Sequence, residues 1–253
     1  MTRLRLLVCA LLLLPAVTRA ALALPVIEVP PQAARPAEPL LVMLTGDGGW
    51  AEFVRHLSTE LSGEGWAVAG LDLRKYLWTR RTPDEAARAV DEMIRSYAAK
   101  WQRSRVVVAG FSRGADIAAC IVNRLPEPTR RGVALVVLIS PGVTAEFEFH
   151  LMDYLRDGRD DGQLPVLPEL QRLPVPALLL YGRNDREALK PPPDSATFRS
   201  IGFAGDHHLD FDYPGILAAI RAALPPSDAA AAHGAPSASG ERSPAGRVPA
   251  TRP

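Results

Sequence analysis

Ser112 stands in Gly110-Phe111-Ser112-Arg113-Gly114, a Gly-x-Ser-x-Gly pattern after the apolar run 106–109 and before a helical stretch over 115–125. A serine on a tight strand-to-helix turn has its hydroxyl aimed out of the sheet, where it can act as a nucleophile. Small residues two positions to either side let the neighbouring chains approach. The helix start adds backbone N–H groups and a partial positive charge. Five residues alone are a weak signal, because Gly and Ser are common. The buried strand before and the helix after make it fairly specific, against the plainer reading of a βα turn with an incidental serine.

A serine hydroxyl needs a base, and the base needs an orienting group. In nucleophile-elbow proteins these follow in the order Ser, Asp or Glu, His. Downstream of Ser112, one apolar run ends in Gly182-Arg183-Asn184-Asp185 and the next in Gly205-Asp206-His207-His208. Asp185 is therefore the expected orienter and His207 the expected base. His208 remains the alternative base, or else a supporting residue. Glu187 is the second-choice acid, and Asp206 and Asp210 are further ones. The plainer reading of the two histidines is a surface loop. His56 and His150 read as structural.

The first run ends in Thr45-Gly46-Asp47-Gly48-Gly49-Trp50. A glycine-rich loop there can turn backbone N–H groups toward a tetrahedral oxyanion, and the expected donors are the N–H groups of Asp47 and Arg113. The loop lacks the Gly-Lys-Ser/Thr ending of a phosphate-binding P-loop, so a nucleotide site is not expected. No Cys/His spacing suggests a metal site, and no cofactor is implied.

Such residues meet only if parallel strands carry them to one edge. Apolar runs at 40–44, 67–71, 106–109, 133–139, 177–181 and 200–203 are mostly continuous rather than alternating, the pattern of strands covered on both faces. Between the second and third, Thr82-Pro83-Asp84-Glu85 offers an N-cap, a Pro at the first helical position and a capping-box Glu. Ala86, Val90, Met93, Ile94, Tyr97 and Trp101 then recur at helical steps. Strand alternating with helix predicts an α/β class: a mostly parallel, doubly wound sheet of the α/β-hydrolase fold, with a small cap region. In such a sheet the loops carrying Asp185, His207 and Ser112 share the C-terminal strand edge.

The 253 residues are 47% hydrophobic and 23% charged, enough for one domain with its own core. A net charge of +1 gives no electrostatic case for nucleic acid as a partner. Residues 1–23 carry two early arginines, an apolar run over 6–17 and then small residues, the plan of a secretory signal peptide. The run is shorter than the ~20 residues a spanning helix needs. Cys9 lies inside that run, not after it, which argues against a lipoprotein. Cys120 is then alone in the mature chain, so no internal disulfide is expected. Residues 24–38 are Pro- and Ala-rich and read as an extended leader, 39–224 as the catalytic domain, and 225–253 as a disordered tail.

Several segments together resemble a known family, the bacterial virulence protein VirJ and its longer relative AcvB. They are Gly46-Asp47-Gly48-Gly49-Trp50, the stretch from Leu71 to Trp78 with Arg81-Thr82-Pro83, the Ser112 segment through Asp116, Phe147-Glu148-Phe149-His150, and the segment from Gly205 to Asp210. One departure is Arg113, where an uncharged residue is expected after the serine. The resemblance implies a periplasmic protein that hydrolyses the aminoacyl ester of lysyl-phosphatidylglycerol or a similar aminoacylated phospholipid. It also implies an association with type IV secretion components.

For such a substrate, Tyr76 and Trp78 are candidates to line the pocket or touch a bilayer, with packing as the plainer reading. Glu146 and Glu148, with Asp153, Asp157, Asp160 and Asp161, form an acidic cluster interleaved with Phe147, Phe149, Leu151, Met152, Tyr154 and Leu155. As a cap it could face a lysyl group and acyl chains. Its plainer reading is a solvated cap helix.

Overall fold

The computed structural model describes residues 24–148 and 163–226. The expected signal peptide, most of the acidic cap cluster with His150, and the tail beyond Pro226 lie outside the described residues.

The chain begins with β1 (Val26–Val29), β2 (Leu40–Leu44), helix α1 (Glu52–Gly63) and β3 (Ala67–Leu71). The short α2 (Leu73–Tyr76) and the long α3 (Pro83–Trp101) follow, then β4 (Val106–Phe111) and α4 (Arg113–Arg124). After α5 (Glu127–Arg131) and β5 (Val133–Ile139) come the two-residue strands β6 (Thr144–Ala145) and β7 (Leu164–Pro165) with α6 (Val166–Gln171) after them. β8 (Ala177–Gly182), β9 (Phe198–Phe203) and α7 (Tyr213–Ala223) complete the described elements.

Seven strands form one sheet in the order β1-β3-β2-β4-β5-β8-β9. All neighbours are parallel except β1, which runs antiparallel to β3. The expected mostly parallel sheet is thus present, and three of its strands, β2, β3 and β5, match the apolar runs to the residue. The leader differs from expectation: Val26–Val29 is an edge strand, with Val26 opposite Leu71 and Val29 opposite Val68. At the other end of the domain, the Pro225 carbonyl accepts a hydrogen bond from Arg105.

Burial on both faces explains the uninterrupted apolar strands. Along β2, Leu40, Val42 and Leu44 pack into one core, whereas Leu41 and Met43 pack into a second core across the sheet. The first core receives α3 and α4; the second receives α1 and α7. Helix α3 starts at the expected capping box: Thr82 Oγ1 accepts the Glu85 N–H at 3.2 Å, and Glu85 Oε2 accepts the Thr82 N–H at 2.8 Å. Ala86, Val90, Met93 and Ile94 are buried, while Tyr97 and Trp101 lie at the core's margin.

Two glycines are fixed by close approach. A Cβ on Gly114 would lie 2.1 Å from the Leu44 carbonyl oxygen, and one on Gly110 would lie 2.2 Å from that of Gly114. Both obstacles are backbone, so neither can swing aside. Gly114→Ala should therefore cost about 3 kcal/mol or more of stability, read as a lower urea midpoint or loss of soluble protein. A midpoint equal to wild type would contradict this packing.

Candidate active site

Ser112 sits between β4 and α4 with φ 55° and ψ −125°, left-handed backbone that a non-glycine residue adopts only under tertiary constraint. The constraint comes from both sides. Its N–H donates to the Ile139 carbonyl at 2.9 Å, and its carbonyl accepts from Ala115 and Asp116 at 2.7 and 3.1 Å. The hydroxyl makes no capping bond to the helix below.

Asp185 and His207 are brought together as the sequence suggested. His207 Nδ1 lies 2.9 Å from Asp185 Oδ2. Asp185 is 7% exposed and His207 39%, so the acid is shielded and the imidazole remains reachable. The other Asp185 oxygen accepts the Glu187 N–H at 3.0 Å, which makes Glu187 part of the Asp185 turn. The β8 and β9 loops meet at Gly182, where a Cβ would lie 2.0 Å from the Asp206 carbonyl oxygen.

His208 has different surroundings. Its ring stacks on Phe211, with centroids 5.2 Å apart, and meets Phe53 and Phe111 at 5.8 and 5.5 Å. Burial first, and then the neighbouring His207, hold its imidazole below the usual histidine range, against the opposing charge of Asp206. His56 stacks on Tyr213, at 4.1 Å.

Sequence reasoning missed Ser140, which couples the two halves of the site. It is fully buried at φ 51°, directly after the Ile139 carbonyl that holds Ser112. Its hydroxyl donates to the His207 carbonyl at 2.7 Å. A Ser-Pro-Gly sequence at a strand's C-terminal end was the available signal.

The glycine-rich loop closes over the elbow. A Cβ on Gly46 would lie 3.1 Å from the Ser112 Cβ, and Gly49, at φ 67°, returns its N–H to the Gly46 carbonyl. Trp50 anchors the loop by covering Gly70 of β3, where a Cβ would meet its ring at 2.1 Å. Neither the Asp47 nor the Arg113 N–H donates to an acceptor among the described residues.

The side chains of these two residues are joined. Arg113 Nε bonds to Asp47 Oδ1, and Nη2 reaches Asp47 Oδ2 at 3.2 Å. Nη1 reaches Glu146 Oε2 at 3.1 Å and the Glu148 carbonyl at 3.3 Å. Burial opposes the guanidinium charge, but Asp47 and Glu146 outweigh it and hold Arg113 protonated. The unusual cation after the serine is thus internally matched. Glu146, a candidate for the lysyl contact, is part of this arrangement: Oε2 holds Arg113 and Oε1 accepts from Gln163 at 2.5 Å. Glu148 faces Arg80 at 3.7 Å.

Asp116, one turn into α4, accepts the Gly142 N–H at 2.6 Å. Burial pushes its carboxyl up to about 7; the Gly142 bond and Arg113 oppose this, while Asp47 and Glu146 add to it. An acid whose pKa rises on folding binds its proton more tightly when folded, so the stability this confers is full below about pH 4 and is lost as pH climbs through about 7. Asp116→Asn should therefore gain on wild type by roughly 2–4 kcal/mol between pH 4 and pH 8. Urea midpoints across that range test this; a difference that does not change with pH would contradict it.

Tyr76 and Trp78 both line a pocket of about 600 Å³ that shares Gly48 and Gly49 with the glycine-rich loop. Tyr76 is mainly a core residue, 7% exposed, with its hydroxyl donating to the Glu85 carbonyl at 3.3 Å; Trp78 is 63% exposed. Among the described residues no group of three or more His, Cys, Asp or Glu side chains is arranged to hold a metal ion.

A family model described as Bacterial virulence protein (VirJ) matches residues 38–226. No curated protein matches the sequence. Solved structures do share the fold. MenH from S. aureus is 13% identical with a TM-score of 0.56, covering 78% of this chain and 98% of that one. A proline iminopeptidase from Mycobacterium smegmatis is 16% identical with a TM-score of 0.54, covering 78% and 92%. An esterase from Pyrococcus furiosus is 15% identical with a TM-score of 0.52, covering 79% and 90%. At these identities the likeness establishes a common fold, that of the α/β-hydrolases.

Proposed function

The chain belongs to the VirJ family of bacterial virulence proteins, and from that premise we propose that it is a periplasmic serine hydrolase of aminoacylated phospholipids, with lysyl-phosphatidylglycerol as the representative substrate. The observation that carries the hydrolase reading is the His207–Asp185 pair at 2.9 Å, on loops at the same sheet edge as the left-handed Ser112. Periplasmic location rests on the signal-like sequence of residues 1–23. The lipid substrate and an association with type IV secretion components rest on family membership.

In this mechanism His207 Nε2 takes the Ser112 proton while Asp185 holds Nδ1–H and fixes the tautomer. Ser112 Oγ attacks the aminoacyl carbonyl carbon, and the carbonyl electrons move onto oxygen, which accepts from the Asp47 and Arg113 N–H groups. Collapse breaks the ester C–O bond, and His207 returns the proton to the departing glycerol oxygen. Water, deprotonated by His207, then attacks the lysyl-Ser112 ester. A second collapse frees lysine and restores the serine.

The test supplies purified protein with vesicles containing lysyl-phosphatidylglycerol and measures free lysine. Lysine release is expected. Cleavage of a nitrophenyl ester without lysine release would discard the lipid and leave a general esterase. Failure on both would discard the hydrolase reading in favour of a non-catalytic role in secretion.

A further inference from the structure

The pocket beside the glycine-rich loop is cationic. Arg74, Lys75 and Arg81 line it with a single acid, Asp72. Asp72 is already committed: it pairs with Lys75 at 3.1 Å and caps α2 by accepting the Lys75 N–H at 3.3 Å. Arg74 has no carboxylate partner among the described residues. Arg81 lies over the Tyr76 ring, 5.1 Å from its centroid, and its buried Nε has no hydrogen-bond acceptor. Two guanidinium groups therefore line one cavity; Glu85 acts on Arg81 through space, but among the described residues no carboxylate lies within ion-pair distance of either, and a buried donor left unsatisfied is costly unless a partner completes it.

The position of this charge matters. Gly48 and Gly49 form part of the pocket wall, and Gly46 of the same turn packs against Ser112. An ester held over Ser112 thus has the cationic pocket just across the loop. Of the acids expected to receive a cationic headgroup, the two among the described residues, Glu146 and Glu148, pair with Arg113 and Arg80. Leu24 and Pro25 also line the pocket, but the residues before them carry Arg3, Arg5 and Arg19 and no acid, so that segment does not complement it.

We propose that the Arg74–Arg81 pocket binds a phosphate group of the ester substrate, which lies across the glycine-rich loop while the carbonyl sits over Ser112. Guanidinium groups are suited to this because their forked donors match phosphate oxygens. The inference builds on the hydrolase reading and adds what recognises the part of the substrate that does not react. In an aminoacylated phosphatidylglycerol this is the headgroup phosphodiester, three carbons from the ester.

Binding of sn-glycerol 3-phosphate and of inorganic phosphate, measured by calorimetry, tests the pocket whether or not any ester is cleaved. Wild type should bind glycerol phosphate, and Arg74→Gln/Arg81→Gln should bind it about 10–100-fold more weakly. Arg74→Gln alone, at an exposed position, should lose part of this and serves if the double variant fails to fold. Equal binding by all three proteins, or none by wild type, would overturn the proposal. Inorganic phosphate binding as tightly as glycerol phosphate would assign the pocket to free phosphate and overturn its role in substrate recognition.

The second arm compares kcat/KM for lysyl-phosphatidylglycerol with that for a neutral lysyl ester. Their ratio should fall about tenfold or more in the variant. An unchanged ratio would overturn the pocket's role in recognition. If wild type cleaves only the neutral ester but glycerol phosphate binding still depends on the arginines, the lipid assignment fails and the phosphate site stands.

Discussion

Replacing Ser112 by alanine should lower kcat/KM for ester cleavage by about 10⁴-fold or more while leaving the unfolding midpoint near that of wild type. The two halves of this expectation have separate causes. The hydroxyl is the only protein group in the proposed reaction that forms a bond to the acyl carbon, so its loss leaves only residual catalysis by oxyanion donors and binding. It makes no capping hydrogen bond, so the fold loses little. The bonds that enforce the turn belong to the backbone, from Ser112 N–H to Ile139 and from Ala115 and Asp116 to Ser112. Hydrolysis within tenfold of wild type by a folded Ser112→Ala protein would remove the nucleophile assignment. A large fall in both activity and midpoint would mean the side chain is structural.

The second large effect separates two adjacent histidines. His207→Ala should lower kcat by about 10⁴-fold or more, whereas His208→Ala should lower it by less than about tenfold. His207 has its Nδ1 on a shielded carboxylate and leaves Nε2 for the serine proton. His208 is packed among Phe53, Phe111 and Phe211, and among the described residues no carboxylate hydrogen-bonds to its ring; Asp206 accepts only its backbone N–H. Burial lowers its basicity. Its loss should appear mainly as reduced stability through the aromatic cluster. Comparing kcat and urea midpoint for the two variants checks this, and a greater loss of kcat in His208→Ala would reverse the assignment.

What could be read directly was whatever chain-local chemistry determines. The strands β2, β3 and β5 are uninterrupted apolar runs because both their faces are covered, and covering both faces is what removes alternation. The Thr82 capping box is likewise local, spanning four residues. The elbow was legible because Gly110 and Gly114 leave no room for a side chain where β2 and α4 approach. β1 was not, since Val-Ile-Glu-Val is four residues in a Pro- and Ala-rich stretch and becomes a strand only by pairing with β3.

Long-range partners account for the remaining differences. Nothing near Glu146 in sequence shows that it is bound to Arg113, 33 residues earlier, so an internally neutralised acid looked available to a substrate. Ser140 gains meaning only from His207, 67 residues later. The choice between His207 and His208 depends on Phe53, which arrives from α1 on the far side of the sequence. The cation cluster is of the same kind: Arg74 and Arg81 become a pocket only when the turn after β3 packs beside Gly48 and Gly49.

The central claim, that Ser112 is an activated nucleophile, is tested most directly by intact-protein mass spectrometry after treatment with a fluorophosphonate. Such a reagent forms a stable bond with a serine whose proton is taken by an adjacent base. One adduct per chain is expected, located on Ser112 by peptide mapping, absent in Ser112→Ala and strongly slowed in His207→Ala. No adduct on wild-type protein, or an adduct that persists in Ser112→Ala, would contradict it.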